Sequence, residues 1–379
     1  MRVPETEQPR SHIAFFLPDL EMGGAERVFL TLSSALAQRG HVVELILARK
    51  SGPLVAEVDP SVSLVDLGAY RPGEPSWRFG LRTVLRLAWR LHRHTPDALF
   101  STLTGANLSA IAARVLSHRR FRLFIREAAT LANVKSRARQ WLMWLLYPLA
   151  DRVIVLTNFM REQLLTKLHL PAEKMVVIGN PVDATKIGRL AQDAKLVRRA
   201  QEFHPYVVCV GRLSEPKDQA TAIKAVARIA ALRPLNLVLV GEGPLENKLQ
   251  RLVCDLGIDD RVHFAGWQAN PYPWMAQALV FIMSSRWEGY PNVLLEAEAL
   301  SVPIVATKYD VSVEEVLTET ERVRIVEVGN DVAMAEAIQA LLDETGGQEM
   351  LVKPDNLNWV IDAYEACFEA DKCENRIVT

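Results

Sequence analysis

Short runs of β-branched and other apolar residues alternate, along almost the whole chain, with longer stretches whose apolar positions recur every three to four residues. The first pattern belongs to strands buried on both faces and the second to amphipathic helices. Strands are expected at 13–17, 42–47, 63–67, 98–101, 123–126, 153–156 and 176–178, and then at 207–210, 237–240, 262–265, 280–283, 304–306 and 323–326. Helices are expected over 25–39, 79–94, 107–116, 139–149 and 159–168, between later strands, and over 359–370. Such alternation folds into parallel sheets with helices on both faces. A twisted sheet rarely passes about ten strands, so these candidates imply two sheets.

The expected fold is therefore α/β, with two doubly wound Rossmann-like domains. At 379 residues the chain is long enough for two cores, and with 49% hydrophobic residues and a net charge of −1 it does not have the composition of a disordered chain. The boundary falls at Asn180-Pro-Val-Asp183 and the charged, strandless segment that follows it. Residues 1–183 form the first domain, 184–352 the second, and 353–379 a terminal segment with its own helix. Two such domains in tandem would bring the carboxyl ends of both sheets to a shared crevice, where this architecture binds ligands.

No window approaches the ~18 apolar residues of a membrane-spanning helix. The polar stretch 1–11, with Pro4 and Pro9, lacks the apolar core of a secretory signal, so a cytoplasmic location is expected. Cys209, Cys254, Cys367 and Cys373 show neither zinc-ligand spacing nor a disulfide framework, and Cys209 reads as an inert core residue. The eight histidines show no metal-ligand spacing, and there is no Asp-x-Asp pair.

Near-neutrality conceals a division of charge. Residues 1–190 hold 26 Lys and Arg against 16 Asp and Glu, and the remainder holds 18 against 29. Between Arg71 and Gln140 fourteen cations face only Glu74, Asp97 and Glu127, interleaved with Trp77 and Trp89 and leading into Trp141 and Trp144. Basic and aromatic residues together point to an anionic membrane surface. Taken alone, the Trp141–Tyr147 stretch reads as a helix packing its stripe into the core.

Three constellations carry chemistry. Ser284-Ser-Arg-Trp-Glu-Gly-Tyr-Pro-Asn-Val-Leu-Leu-Glu-Ala-Glu298 runs from a strand through a Gly/Pro loop into a helix that Asn292 is suited to cap. Amides around 292–294 would meet a phosphate there, while Glu288 and Glu296 would accept hydrogen bonds from sugar hydroxyls. Val210-Gly-Arg-Leu-Ser-Glu-Pro-Lys-Asp218 brings Arg212 and Lys217 to the carboxyl end of another strand, where two cations can neutralise a departing diphosphate. Leu20-Glu-Met-Gly-Gly-Ala-Glu-Arg27 places Gly23 and Gly24 at a helix start, permitting close backbone approach to a ligand. Neither GxGxxG nor GxxxxGK[ST] is present.

With these blocks in this order, the chain resembles glycosyltransferase family 4, the retaining nucleotide-sugar transferases of the GT-B fold. The Glu-x7-Glu pattern is met by Glu288 and Glu296. Gly241-Glu-Gly-Pro244, Val262-His-Phe-Ala-Gly266 and Asn180-Pro-Val-Asp183 match as well. The resemblance implies that Arg212 and Lys217 hold the donor diphosphate, Glu296 the ribose and Glu288 the transferred sugar. It further implies that Gly289, Tyr290, Asn292 and Val293 contact the donor, that Trp267 borders the base, and that Gly23 and Gly24 close over the phosphates. The terminal helix would return to the first domain.

Three positions depart from the family pattern. Ser301 stands where glycine is common, and Lys308-Tyr-Asp-Val-Ser-Val-Glu314 replaces a small-residue pair before an acid. Arg126 and Glu127 stand near the usual histidine and are named as acceptor-side candidates. The implied reaction needs no metal or cofactor. It moves a sugar from a nucleoside diphosphate, UDP first, to a lipid-linked or polysaccharide hydroxyl in cell-envelope glycan synthesis, at the cytoplasmic face of the membrane. Glu288 as covalent nucleophile and the leaving phosphate as base both remain open, and nucleic acid is not an expected partner. Two alternatives stand beside transfer: an epimerase or hydrolase of the same fold, and a non-catalytic carbohydrate-binding protein.

Overall fold

The structure, a computed structural model, describes residues 11–21, 23–128, 130, 131, 134, 136–317, 321–344 and 356–369. The chain divides into two units: residues 1–181 joined by 358–379, and residues 182–357.

In chain order the first unit holds β1 (His12–Leu17), α1 (Gly24–Gln38), β2 (Val42–Leu47), β3 (Ser63–Asp66), α2 (Ser76–Arg93), β4 (Ala98–Thr102), α3 (Thr104–Ser117), β5 (Arg122–Glu127), α4 (Arg137–Leu146), β6 (Arg152–Val155), α5 (Asn158–Leu168) and β7 (Met175–Val177). The second holds α6 (Ala184–Leu190), α7 (Ala194–Gln201), β8 (Tyr206–Val210), α8 (Gln219–Ala230), β9 (Asn236–Val240), α9 (Glu246–Asp255), β10 (Val262–Gly266), α10 (Tyr272–Ala276), β11 (Val280–Met283), α11 (Asn292–Ala299), β12 (Ile304–Thr307), α12 (Val313–Val316), β13 (Val323–Val326) and α13 (Asp331–Glu344). The last helix, α14 (Leu357–Glu369), lies almost wholly in the first unit.

Each expected strand is present within a residue or so of its expected bounds, and every strand pair is parallel. The expected α/β class with two doubly wound sheets is the class observed. The first sheet runs β3-β2-β1-β4-β5-β6-β7 and the second β10-β9-β8-β11-β12-β13. In each, strand order reverses beside the first strand: between β1 and β4, and between β8 and β11. Right-handed crossovers then put α1 on one face of the first sheet and α2 to α5 on the other.

The first core is aromatic on the α1 face. Phe15 meets Phe29 and Phe100, and Phe100 stacks on Phe124. Helix α14 closes this face with Tyr364 and Phe368 against Phe100. Arg39, which follows α1 directly, reaches Asp362 and Glu365, each at 2.6 Å. The second sheet is sandwiched between two apolar clusters, one around Trp274, Phe281 and Leu294 and the other around Ile223, Leu239 and Ile338. Cys209 is buried there, and burial pushes its thiol up to about 12, as expected of an inert core residue. Cys373 lies outside the described residues, and so does the polar stretch 1–10.

Two local expectations are corrected. The helix expected over 139–149 starts at Arg137, with Ser136 capping it, and ends at Leu146. Pro148 cannot continue an α-helix, so a tight 3-10 turn takes over at Tyr147–Leu149. Nor does the stretch pack its stripe wholly inward: Met143 and Tyr147 are buried, whereas Trp141 and Trp144 are 57% and 50% exposed.

Candidate active site

In the second unit the loops that leave β8 and β11 stand side by side at the point where strand order reverses, where doubly wound sheets bind ligands. The first spans Gly211 to Asp218 and the second Ser284 to Pro291. Ser284 Oγ donates to the Lys217 carbonyl at 3.0 Å, the Arg286 amide to the Pro216 carbonyl at 2.7 Å, and the Arg286 guanidinium to Asp218 at 3.0 Å. Asp218 takes a left-handed conformation, φ 44°, turning the chain from this loop directly into α8.

That stitching brings Lys217 and Glu288 together across 71 residues of sequence. The Lys217 ammonium lies 2.6 Å from Glu288 Oε1, which also accepts from Ser285 Oγ at 2.5 Å. The Ser285 carbonyl in turn accepts from Thr307 Oγ1 at 2.5 Å. Arg212, in the same loop as Lys217, is exposed and has no ion pair among the described residues. The site thus offers one cation held by a carboxylate and a second facing water.

The turn Gly241-Glu-Gly-Pro244 braces this loop from β9. The Gly211 amide donates to the Val240 carbonyl at 2.9 Å, and Leu213 donates to the Glu242 carbonyl at 3.0 Å. A Cβ at Gly241 would lie 2.1 Å from the Gly211 oxygen, so this approach requires glycine. Glu242 Oε1 accepts the amide of Trp267 at 3.1 Å, fixing the backbone of that 40% exposed residue beside the same turn.

Asn292 is not the cap of α11. Pro291 takes that place with extended backbone, φ −80° and ψ 94°, so Asn292 becomes the first helical residue. The Leu294 amide is bonded to the Pro291 carbonyl at 3.0 Å, so it does not belong to the set of amides expected to meet a phosphate. Tyr290 and Val293 pack against the core, so the turn offers its backbone rather than these side chains. Gly289 and Glu296 are half-buried in the turn and the helix respectively. Helix α11 closes with Ser301 at φ +55°, its amide bonded to the Glu298 carbonyl and that of Val302 to the Ala297 carbonyl. This is a left-handed helix stop that glycine adopts without strain. Lys308, in the loop after β12, pairs with Glu314 of α12 at 2.7 Å.

In the first unit Gly23 caps α1 at φ −89°, so positive φ is not what selects it. A Cβ there would lie 2.0 Å from Glu26 Oε2: the glycine makes room for a carboxylate at the helix start. Burial raises the pKa of Glu26. Gly24 opens the helix proper.

Arg126 and Glu127 end β5 with 1% exposure each. Arg126 donates to Thr102 Oγ1 at 2.9 Å and to Asn180 Oδ1. Glu127 accepts from Thr104 Oγ1 at 3.0 Å and from the Tyr147 hydroxyl. Burial, together with this carboxylate, raises the Tyr147 pKa well above its ordinary value.

Sequence reasoning did not single out Ser285, Asp218, Glu242 or Thr307 as site residues. The first lies within the Ser-x-x-Glu spacing, which brings a hydroxyl to a carboxylate one turn later; the others carry no comparable signal.

Comparison with known proteins agrees in both halves. The profile described as Glycosyltransferase Family 4 matches residues 22–186, and the one described as Glycosyl transferases group 1 matches 204–344. An N-acetylgalactosamine-N,N'-diacetylbacillosaminyl-diphospho-undecaprenol 4-alpha-N-acetylgalactosaminyltransferase of Campylobacter jejuni is 30% identical over 342 residues, covering 88% of this chain and 90% of that protein. The lipopolysaccharide core biosynthesis glycosyltransferase LpsD of Rhizobium meliloti is 28% identical over 360 residues, covering 92% and 95%. Among solved structures, Anabaena Alr3699/HepE in complex with UDP and glucose superposes with a TM-score of 0.73 at 19% identity, covering 89% of this chain and 91% of that one. The Lys217–Glu288 loops lie inside the second matched segment, the Gly23–Gly24 turn opens the first, and the chain belongs to the family 4 glycosyltransferases.

Proposed function

We propose that the protein transfers a sugar, with retention at the anomeric carbon, from a nucleoside diphosphate donor to a hydroxyl of a lipid-linked or polysaccharide acceptor in cell-envelope glycan synthesis. The observation that carries the reading is the contact between Lys217 and Glu288 at the carboxyl ends of two neighbouring strands, with the exposed Arg212 in the same loop as Lys217. A donor diphosphate supplies an alternative partner for the Lys217 ammonium. As the bond between anomeric carbon and phosphate oxygen breaks, the electron pair goes to that oxygen, and Arg212 and Lys217 stabilise the growing charge. The acceptor oxygen bonds to the same face of the oxocarbenium-like carbon, and its proton passes to the leaving phosphate. Glu288, freed from Lys217, faces the sugar, and Glu296 the ribose. Positive charge for the leaving group comes from these side chains and the start of α11, so we read the reaction as metal-independent. UDP is the first donor to test, since a fold relative was solved with it.

Two observations support a membrane-borne acceptor. The Campylobacter relative acts, by its name, on a diphospho-undecaprenol. Among the described residues no helix is long and apolar enough to cross a bilayer. Yet α2, α3 and α4, neighbours on one face of the first sheet, carry eight arginines and no Asp or Glu. Their outer surface exposes Trp77, Leu81, Leu85 and Trp89 at every fourth position of α2, along with Trp141 and Trp144. Arg93 stacks on Trp89 at 4.4 Å and Arg78 on Trp77 at 5.2 Å, placing cations at the aromatic rim as an anionic interface requires.

A panel of nucleotide sugars, incubated with and without membrane extract, tests the reading. Nucleotide release that depends on acceptor is expected; release without acceptor indicates hydrolysis, and binding without release indicates a non-catalytic protein. In flotation assays the protein should rise with vesicles containing anionic lipid and much less with neutral ones. Indifference to lipid charge would contradict the membrane part.

A further inference from the structure

A cavity of about 560 Å³ opens in the first unit between α4, the end of α5 and the residues Leu131 and Val134. Its floor is apolar and buried, formed by Leu131, Val134 and Leu168. One wall is Trp141 and Trp144. Its rim carries Arg137 and Lys167, both exposed and neither paired with a carboxylate among the described residues. The Gln140 side-chain amide donates to the Val134 carbonyl at 2.7 Å, tying α4 to Val134, and the Leu131 backbone amide donates to the Gln163 side chain of α5 at 2.9 Å. The cavity is therefore braced from both helices.

We infer that this cavity binds one long-chain phosphate ester drawn from the membrane leaflet, with its chain along Trp141, Trp144 and Leu168 and its phosphate between Arg137 and Lys167. An apolar ligand alone leaves two cations without a role, and a free phosphate leaves an aromatic wall and an apolar floor in water. A ligand joined from both parts satisfies both ends. The surroundings point to the source, since α4 belongs with α2 and α3 to a group of helices that carry eight arginines, no Asp or Glu, and exposed tryptophans. A second copy of the chain would set that group against its own positive charge. A nucleic acid would leave the buried floor unfilled. The inference rests on the membrane-facing part of the proposed function and not on sugar transfer.

The test is calorimetric titration of the full chain with dodecyl phosphate below its micellar concentration, beside inorganic phosphate and dodecyl maltoside. Saturable binding at one site is expected for dodecyl phosphate, with both comparison ligands weaker by about tenfold or more, because each offers only half of the contacts. The exposed pair Arg137→Gln and Lys167→Gln, made together, should weaken dodecyl phosphate by about 100-fold, roughly tenfold per charge-assisted contact, with unchanged circular dichroism. Trp77→Ser with Trp89→Ser, on the outer face of α2, should reduce vesicle flotation and leave this titration unchanged, which separates failure of the cavity from failure of membrane docking. Equal affinity for maltoside, an unaffected charge variant, or association of the protein with itself that blocks the titration would each overturn the inference.

Discussion

Lys217→Ala is expected to lower turnover by about 100-fold or more while leaving the fold intact. In the 211–218 loop, among the described residues, this ammonium is the cation held by a carboxylate, 2.6 Å from Glu288 Oε1. Positioning of this kind makes a charge effective in the transition state, because no reorganisation is needed as the leaving group develops. The side chains of the pair are 24% and 12% exposed, and Glu288 keeps the Ser285 hydroxyl as a donor when the ammonium is removed. The predicted signature is a fall in kcat measured on protein that remains folded at the assay temperature. A variant that keeps its turnover would remove Lys217 from the chemistry. Arg212→Ala, in an exposed side chain without an ion pair among the described residues, should show the same signature.

Gly241→Ala should act through the scaffold. Its backbone lies at φ +141°, which L side chains rarely adopt, and the added methyl would meet the Gly211 carbonyl oxygen at 2.1 Å. That neighbour is backbone at the head of the 211–218 loop, bonded to Val240, and cannot swing aside as a flexible side chain would. A loss of about 3 kcal/mol or more is expected, from backbone strain and overpacking together, with a lower melting temperature and reduced turnover in whatever remains folded. Gly80→Ala is the control: it lies inside α2 with nothing within 4 Å of a Cβ, and should be neutral or stabilising by about 0.5–1 kcal/mol. Equal melting temperatures for the two variants would contradict the account of the brace.

Strands were legible in the sequence because burial on both faces leaves little choice of residue: all thirteen candidates correspond to observed strands. Their lateral order was not legible, since no local pattern says that β1 lies between β2 and β4. Helix ends were legible where a side chain decides them and not where a proline does, as Pro148 and Pro291 illustrate. At the site, Arg212, Lys217, Glu288 and Glu296 could be named from loop chemistry and family likeness, but the contact between Lys217 and Glu288 could not, because it depends on β8 and β11 being neighbours. The burial of Arg126 and Glu127 was hidden for a related reason. Charged residues at a strand end read as surface groups, and only the fold supplies Thr102, Thr104, Tyr147 and Asn180 to satisfy them inside. Ser301 runs the other way: the departure from glycine was visible at once, and its left-handed conformation explains why glycine is the usual occupant.

The most direct test of the central claim, that this loop pair of the second unit binds the donor through its diphosphate, is a titration of the full chain with UDP and with uridine. Wild type should bind UDP more tightly than uridine, and Arg212→Ala combined with Lys217→Ala should abolish most of that preference while leaving uridine binding in place. A double variant that discriminates UDP from uridine as well as wild type does would contradict the account.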